Sequence, residues 1–227
     1  MVRFENVNKK FAVSAFTISD VSFEIKDGEF VFITGPSGAG KTTILRLIIR
    51  DLVPNSGKIF LNSWELFKLK GGDISKLRQK VTMVFQDFRL LSDRTVFENV
   101  AIALELRGVG DKEIEKKVKN VLELTSLSNQ TNLFPAQLAG GELQRTCLAR
   151  ALVGKPDVIL ADEPTGNLDP ATGWEILKLL TQINKMGTTV IMATHNVDIV
   201  NSLGKRVITL DKGKIVKDEK EGKYEIS

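Results

Sequence analysis

The chain has 227 residues, 42% hydrophobic and 26% charged, with a net charge of +4, which suits a globular protein of one large or two small domains with a sizeable core. A single cysteine, Cys147, excludes an internal disulfide and a cysteine metal cluster. Basic residues are interleaved with acidic ones, which argues against a nucleic-acid partner, and no apolar run approaches the length of a membrane span.

With no secretory leader at its start, the expected location is cytoplasmic unless a partner holds the chain at a membrane. Residues 2–33 read as β. Apolar runs at 2–6, 16–18, 21–25 and 30–34 are separated by turn residues, and Asp27-Gly28 carries a two-residue hairpin signal. The run at 30–34 leads into Gly35-Pro36-Ser37-Gly38-Ala39-Gly40-Lys41-Thr42-Thr43, and an apolar-periodic stretch follows. Strand, glycine loop and helix are the context that the phosphate-loop pattern requires. Gly35, Gly38 and Gly40 let the backbone curl so that its N–H groups converge. The positive end of the following helix faces the same cavity. Lys41 can reach outer phosphates, and Thr42 can place its hydroxyl on Mg²⁺. Upstream, Phe11 interrupts a polar stretch. It either plugs the edge of the core or stacks on a nucleotide base.

Residues 42–52 form the helix after the loop, and 57–61 read as a strand. The basic stretch 68–80 is a surface loop or short helix, and 81–85 is an apolar strand that runs into Gln86. The texture then changes. Residues 96–106 and 114–124 carry apolar positions at helical spacing, Gly108 and Gly110 separate them, and Asp111 is placed to cap the second. Pro135 and Gly140-Gly141 close this stretch before a helix at 142–153. The whole of 87–155 reads as a helical insertion in an α/β domain. Beyond it come a strand at 158–161, a helix at 171–185, a strand at 188–193 and a short helix at 196–202. A terminal hairpin at 206–210 and 214–217 turns at Lys212-Gly213, and the charged tail 218–227 reads as a solvated end.

Two carboxylates, Asp162 and Glu163, end the strand at 158–161. Strand side chains alternate, so one can serve Mg²⁺ while the other aims at a water. His195, the only histidine, follows the strand at 188–193 at the same sheet edge, where open α/β sheets bind ligands. An imidazole there can hydrogen-bond a γ-phosphate. Gln86 also ends a strand, where its amide can orient water or touch Mg²⁺. Leu138-Ala139-Gly140-Gly141-Glu142 opens a helix with free N–H groups, a second anion site. One small domain has little use for two such sites unless the second serves a neighbouring molecule.

These motifs, together with Asn167-Leu168-Asp169, occur in the order of the ATP-binding subunits of ABC transporters, and the resemblance covers essentially the whole chain. It implies a P-loop NTPase core of mixed sheet and flanking helices with an antiparallel β subdomain (1–86 and 156–227) and a helical signature subdomain (87–155), in one ABC ATPase domain spanning 1–227. It implies ATP and Mg²⁺ as cofactors and a head-to-tail homodimer, in which the loop Gly35–Thr43 of one copy and the Ala139–Glu142 signature of the other enclose ATP. By the same resemblance Lys41 binds phosphate, and Thr42, Gln86 and Asp162 serve the metal. Glu163 is the general base, His195 senses the γ-phosphate, Asp169 crosses the dimer interface, and Phe11 matches the base-stacking aromatic. The stretches 85–91 and 93–100 look most like the cell-division branch, which implies an FtsX-like integral membrane partner and control of peptidoglycan hydrolases. A lipoprotein-release or macrolide exporter subunit is the alternative. One departure stands out: Ala139 occupies the place of the signature serine, whose hydroxyl caps the helix, and its loss implies slower closure or hydrolysis.

Overall fold

The computed structural model describes residues 1–11 and 14–224. In chain order the strands and helices are β1 (Val2–Phe11), β2 (Ser14–Ile25), β3 (Phe30–Thr34), α1 (Lys41–Ile48), β4 (Ser56–Leu61), β5 (Trp64–Glu65), α2 (Gly72–Lys80) and β6 (Val81–Val84). Then follow α3 (Val96–Glu105), α4 (Asp111–Leu124), α5 (Gly140–Leu152), β7 (Val158–Asp162), α6 (Pro170–Lys185), β8 (Thr189–Ala193), α7 (Val197–Leu203), β9 (Arg206–Asp211) and β10 (Lys214–Glu219). The fold is α/β. The chain divides into two compact units, one of residues 1–83, 157–163 and 183–227, the other of 84–156 and 164–182.

In the first unit β3, β7 and β8 are buried at every position. Their sequences, Phe30–Thr34, Val158–Asp162 and Thr189–Ala193, are nearly unbroken apolar runs, as central parallel strands with both faces covered require. They pair in parallel, β3 with β8 and β7 with β8, and β9 joins β3 on the other side. The six-stranded order is β10-β9-β3-β8-β7-β6, and a four-stranded antiparallel sheet runs β2-β1-β4-β5. One hydrophobic cluster draws Phe4, Ile25, Ile59 and Leu61 from the smaller sheet together with Ile33, Leu160 and Ile191 from the larger.

The hairpin expected at Asp27-Gly28 does not form. The turn is present, but β2 pairs with β1 while β3 pairs with β8 and β9, so the turn carries the chain from one sheet to the other. A five-residue strand buried on both faces belongs inside a sheet, between two neighbours, and its neighbours β8 and β9 lie more than 150 residues away. The tail also departs from expectation. β10 extends to Glu219, and Arg206 on β9 forks onto Asp218 at 2.8 Å through both Nε and Nη2. Gly222 and Tyr224 are buried, and of the tail only residues 225–227 lie outside the described part.

The helical unit packs α3, α4 and α5 around Val96, Val100, Leu104, Val118, Leu122 and Ala149. A reciprocal cap opens α3: Thr95 N donates to Glu98 Oε2 at 2.8 Å, and Glu98 N donates to Thr95 Oγ1 at 3.2 Å. Asp111 does not cap α4. Gly110 holds the cap position without a side-chain bond, and Asp111 lies inside the first turn, where its charge still favours the helix dipole. Asn99 is buried and donates to the carbonyls of Leu91, Arg94 and Thr95, pinning the segment before α3.

The β9–β10 turn ties three elements together. Gly213 N donates to Ala39 O at 3.1 Å, and Ser19 N donates to Gly213 O at 2.9 Å. Gly213 has φ +76, and a Cβ there would run into the carbonyl of Thr17. Gly213→Ala therefore combines a left-handed backbone penalty with a backbone clash, and should lower stability by more than about 2 kcal/mol. Urea unfolding of the two proteins checks this.

Candidate functional site

β3 ends at the loop that leads into α1. Gly40 takes the N-cap position of α1 with φ +110, and a Cβ there would press on Ile18 and the Phe16 ring, so only glycine fits. Lys41, only 8% exposed, folds its side chain back over the loop. Its Nζ donates to Gly35 O at 2.9 Å and Pro36 O at 3.2 Å, and lies 3.8 Å from Glu163 Oε1. The loop carbonyls and one carboxylate thus satisfy an ammonium that would otherwise be costly to bury.

β7 delivers the two acids to different partners. Thr42 Oγ1 donates to Asp162 Oδ1 at 3.0 Å. Burial raises the Asp162 pKa against the opposing pull of the Thr42 hydrogen bond. Glu163 leaves the strand at φ +45, and its N–H bonds Ala193 O at 2.9 Å. Its carboxylate meets His195 Nδ1 at 2.7 Å. His195 is exposed and stands at the end of β8, while Asn196 caps α7 by accepting from Ile199 N at 3.1 Å. The structure therefore gathers Lys41, Thr42, Asp162, Glu163 and His195 at the carboxyl ends of β3, β7 and β8, in two adjacent pairs: Thr42–Asp162 and Glu163–His195.

Two aromatic groups at this site are not evident from local sequence. Tyr224, the only tyrosine, is 6% exposed, and Asn201 brackets its backbone at 2.8 and 3.2 Å. Burial and the nearby Glu163 charge raise its phenol pKa, against a hydrogen bond from the Gly35 backbone. Its lone occurrence in a charged tail was the available signal. A cavity of about 520 Å³ beside the loop is lined by Phe16, Thr17, Pro36, Ser37, Gly38, Ala39, Asp211 and Lys212. Phe11, half-exposed at the end of β1, leans on Phe16 with ring centroids 6.1 Å apart, and Lys9 Nζ lies 5.5 Å from its ring. Thr43 occupies the first turn of α1.

The remaining candidates belong to the helical unit. Gln86 is exposed and exchanges hydrogen bonds with Asn167, whose Nδ2 donates to Gln86 O at 3.1 Å. The Thr172 hydroxyl and the Thr172 backbone N–H, the latter at 3.0 Å from Oδ1, both favour the ionised Asp169 carboxylate and lower its pKa. Helix α5 starts at Gly140, with Ala139 as its cap residue. Ala139 offers no side-chain acceptor, so only the return half of a capping box exists: Glu142 Oε2 accepts from Ala139 N at 2.9 Å. Glu142 Oε1 accepts from Gln130 Nε2 at 2.9 Å. Gly141 is buried so tightly that a Cβ would strike Thr172.

Among the described residues no group of three or more His, Cys, Asp or Glu forms a self-sufficient metal cage. The Thr42 hydroxyl and the Asp162 carboxylate are hard oxygen donors. Such a pair suits a cation whose other ligands come from water and phosphate.

The profile of the ABC transporter family matches residues 18–166. The chain is 48% identical over 224 residues to the cell division ATP-binding protein FtsE of Bacillus subtilis, covering 99% of this chain and 98% of that one. Its identity to the protein of the same name from Escherichia coli is 43% over 213 residues, with 94% and 96% covered. A solved dimeric ATP-binding cassette in a post-hydrolysis state, bound to ADP and Pi, aligns at a TM-score of 0.88 and 35% identity, covering 99% of this chain and 100% of that chain.

The raised Asp162 pKa carries a stability consequence. The folded value lies above the unfolded one, so ionised Asp162 destabilises the nucleotide-free fold, and stability falls as pH rises through the window between the two values. Asp162→Asn retains an acceptor for Thr42 and removes the charge. The nucleotide-free variant should melt above wild type at pH 8, with the gap closing below about pH 4, where a free Asp is protonated. Differential scanning calorimetry at the two pH values checks this.

Proposed function

The chain belongs to the ABC transporter family, and on that premise we propose that it is the ATP-binding and ATP-hydrolysing subunit of a cell-division ABC complex. In this reading two copies close head to tail around ATP. Closure is passed to an FtsX-like integral membrane protein, and through it to peptidoglycan hydrolases. The observation that carries the reading is the Glu163 carboxylate, held between the Lys41 ammonium at 3.8 Å and the His195 imidazole at 2.7 Å where the phosphate loop meets the sheet edge.

Each residue has a physical task. The backbone N–H groups of the loop, the N-terminus of α1 and the Lys41 charge hold the phosphates. Thr42 and Asp162 would hold Mg²⁺, with Gln86 completing the set as the family pattern implies. When bound, the metal neutralises charge that develops on the phosphate oxygens. Asp162 fits this role: it is buried, and the Thr42 hydroxyl is its hydrogen-bond donor. Glu163 takes a proton from the attacking water as the water oxygen bonds the γ-phosphorus and the bond to the ADP oxygen breaks. His195 orients Glu163 and faces the γ-phosphate. Phe11 stacks on the base, and Phe16 beside it extends that apolar wall. Gly140 and Gly141 of the second copy supply N–H groups to the same phosphate, and Asp169 stands at the junction of the two copies. No helix among the described residues is long and apolar enough to cross a membrane. In this reading the membrane partner holds the protein on the cytoplasmic face.

Glu163→Gln should lower hydrolysis by about 10²–10⁴-fold and leave an ATP-bound dimer visible by size exclusion. Wild-type turnover, or a mutant that stays monomeric with ATP as wild type does, would overturn the role of Glu163. Co-purification from membranes tests the partner: recovery with a transport permease rather than a cell-division membrane protein would remove the cell-division assignment.

Ala139→Ser should restore the missing cap acceptor, worth about 1 kcal/mol to the start of α5, and raise ATP turnover in the partner-bound complex. Unchanged turnover would mean that Glu142 already supplies all the order this turn requires.

A further inference from the structure

The loop after Gln86 has an unusual backbone. Phe88 and Arg89 are consecutive non-glycine residues with φ +56 and +51, a left-handed pair that persists only where the surroundings hold it. The holding contacts come from α5. Arg150 Nη2 donates to Phe88 O at 3.0 Å, and Nη1 donates to Arg89 O at 2.7 Å. Cys147 Sγ, one turn earlier on the same helix, donates to Phe88 O at 3.0 Å. Arg150 is half-buried and makes no ion pair among the described residues. Its planar fork is committed to two carbonyls in a geometry that lysine's single ammonium cannot copy. On the loop itself, the Arg89 guanidinium lies 3.7 Å from the centroid of the Phe85 ring and pairs with Asp87 at 3.1 Å.

We propose that Arg150 is a positioning residue that latches the loop of Gln86 to Leu90 in its left-handed form, and so ties the shape of that loop to α5. The other end of α5 is the Gly140-Gly141 turn, about 15 Å away along a rigid helix. Tilting of the helix when that turn engages a phosphate would then move the loop directly. That consequence rests on the functional reading above, whereas the latch itself does not.

The test is amide hydrogen exchange by mass spectrometry on the full chain, without nucleotide or membrane partner. In Arg150→Met, amides of residues 86–91 should exchange about tenfold faster while α3 and α4 change by less than about twofold. Arg150→Lys should fall between, because one donor replaces two. Adding Arg89→Gly to Arg150→Met should recover at least about half of the lost protection, because glycine adopts the left-handed conformation without strain. Arg89→Gly alone should change little. Unaltered loop exchange in Arg150→Met would overturn the latch. So would an equal rise throughout the helical unit, which would make Arg150 a general packing residue, or a failure of Arg89→Gly to restore protection. If the latch passes while Glu163→Gln hydrolyses ATP normally, the latch stands and the functional reading falls.

Discussion

The Lys41 ammonium sits at the end of a hydrophobic strand, 8% exposed, and oxygen atoms must meet it there. That one requirement organises the sheet edge. The carbonyls of Gly35 and Pro36 turn toward the ammonium and accept from it at 2.9 and 3.2 Å. Glu163 has to abandon its strand at φ +45 to approach the ammonium, and its own N–H then binds the last carbonyl of β8. β8 ends at Ala193, and His195 two residues on meets Glu163 Oε1 at 2.7 Å. Lysine, carboxylate and imidazole are consequences of three strands ending level with one another.

Much of this is legible in the amino-acid sequence. β3, β7 and β8 read as strands because continuous apolar runs of five or six residues leave few alternatives. The glycine spacing of the loop, the acid pair and the single histidine pointed to one sheet edge. The features that were missed are those that depend on partners remote in sequence. Asp27-Gly28 is a genuine turn, but nothing local states that β2 and β3 belong to different sheets. Asp111 has the chemistry of a cap, yet Gly110 takes the position. The tail looks solvated because Lys, Glu and Asp dominate it, yet Arg206 forks onto Asp218 and Asn201 brackets the Tyr224 backbone, contacts that join residues remote in sequence. The left-handed pair at Phe88 and Arg89 carries no glycine to announce it.

The start of α5 shows how a missing hydroxyl can be absorbed. A carboxylate at the third helical position favours the helix dipole wherever it points. Here it also takes the cap residue's N–H and the Gln130 amide. The turn is thus ordered from inside the helix rather than from in front of it. The space beside Ala139 stays open, and the adjacent Gly141 packs on Thr172 with no room for a side chain. Backbone geometry at this helix start is fixed even though its most obvious side-chain support is absent.

Gly213 has a reach that its size conceals. Through it the last hairpin is bonded to the phosphate loop at Ala39 and to β2 at Ser19. Fraying of the final strands would therefore loosen the nucleotide loop in the same event. A ligand that orders the loop would in turn shield the end of the chain from proteases.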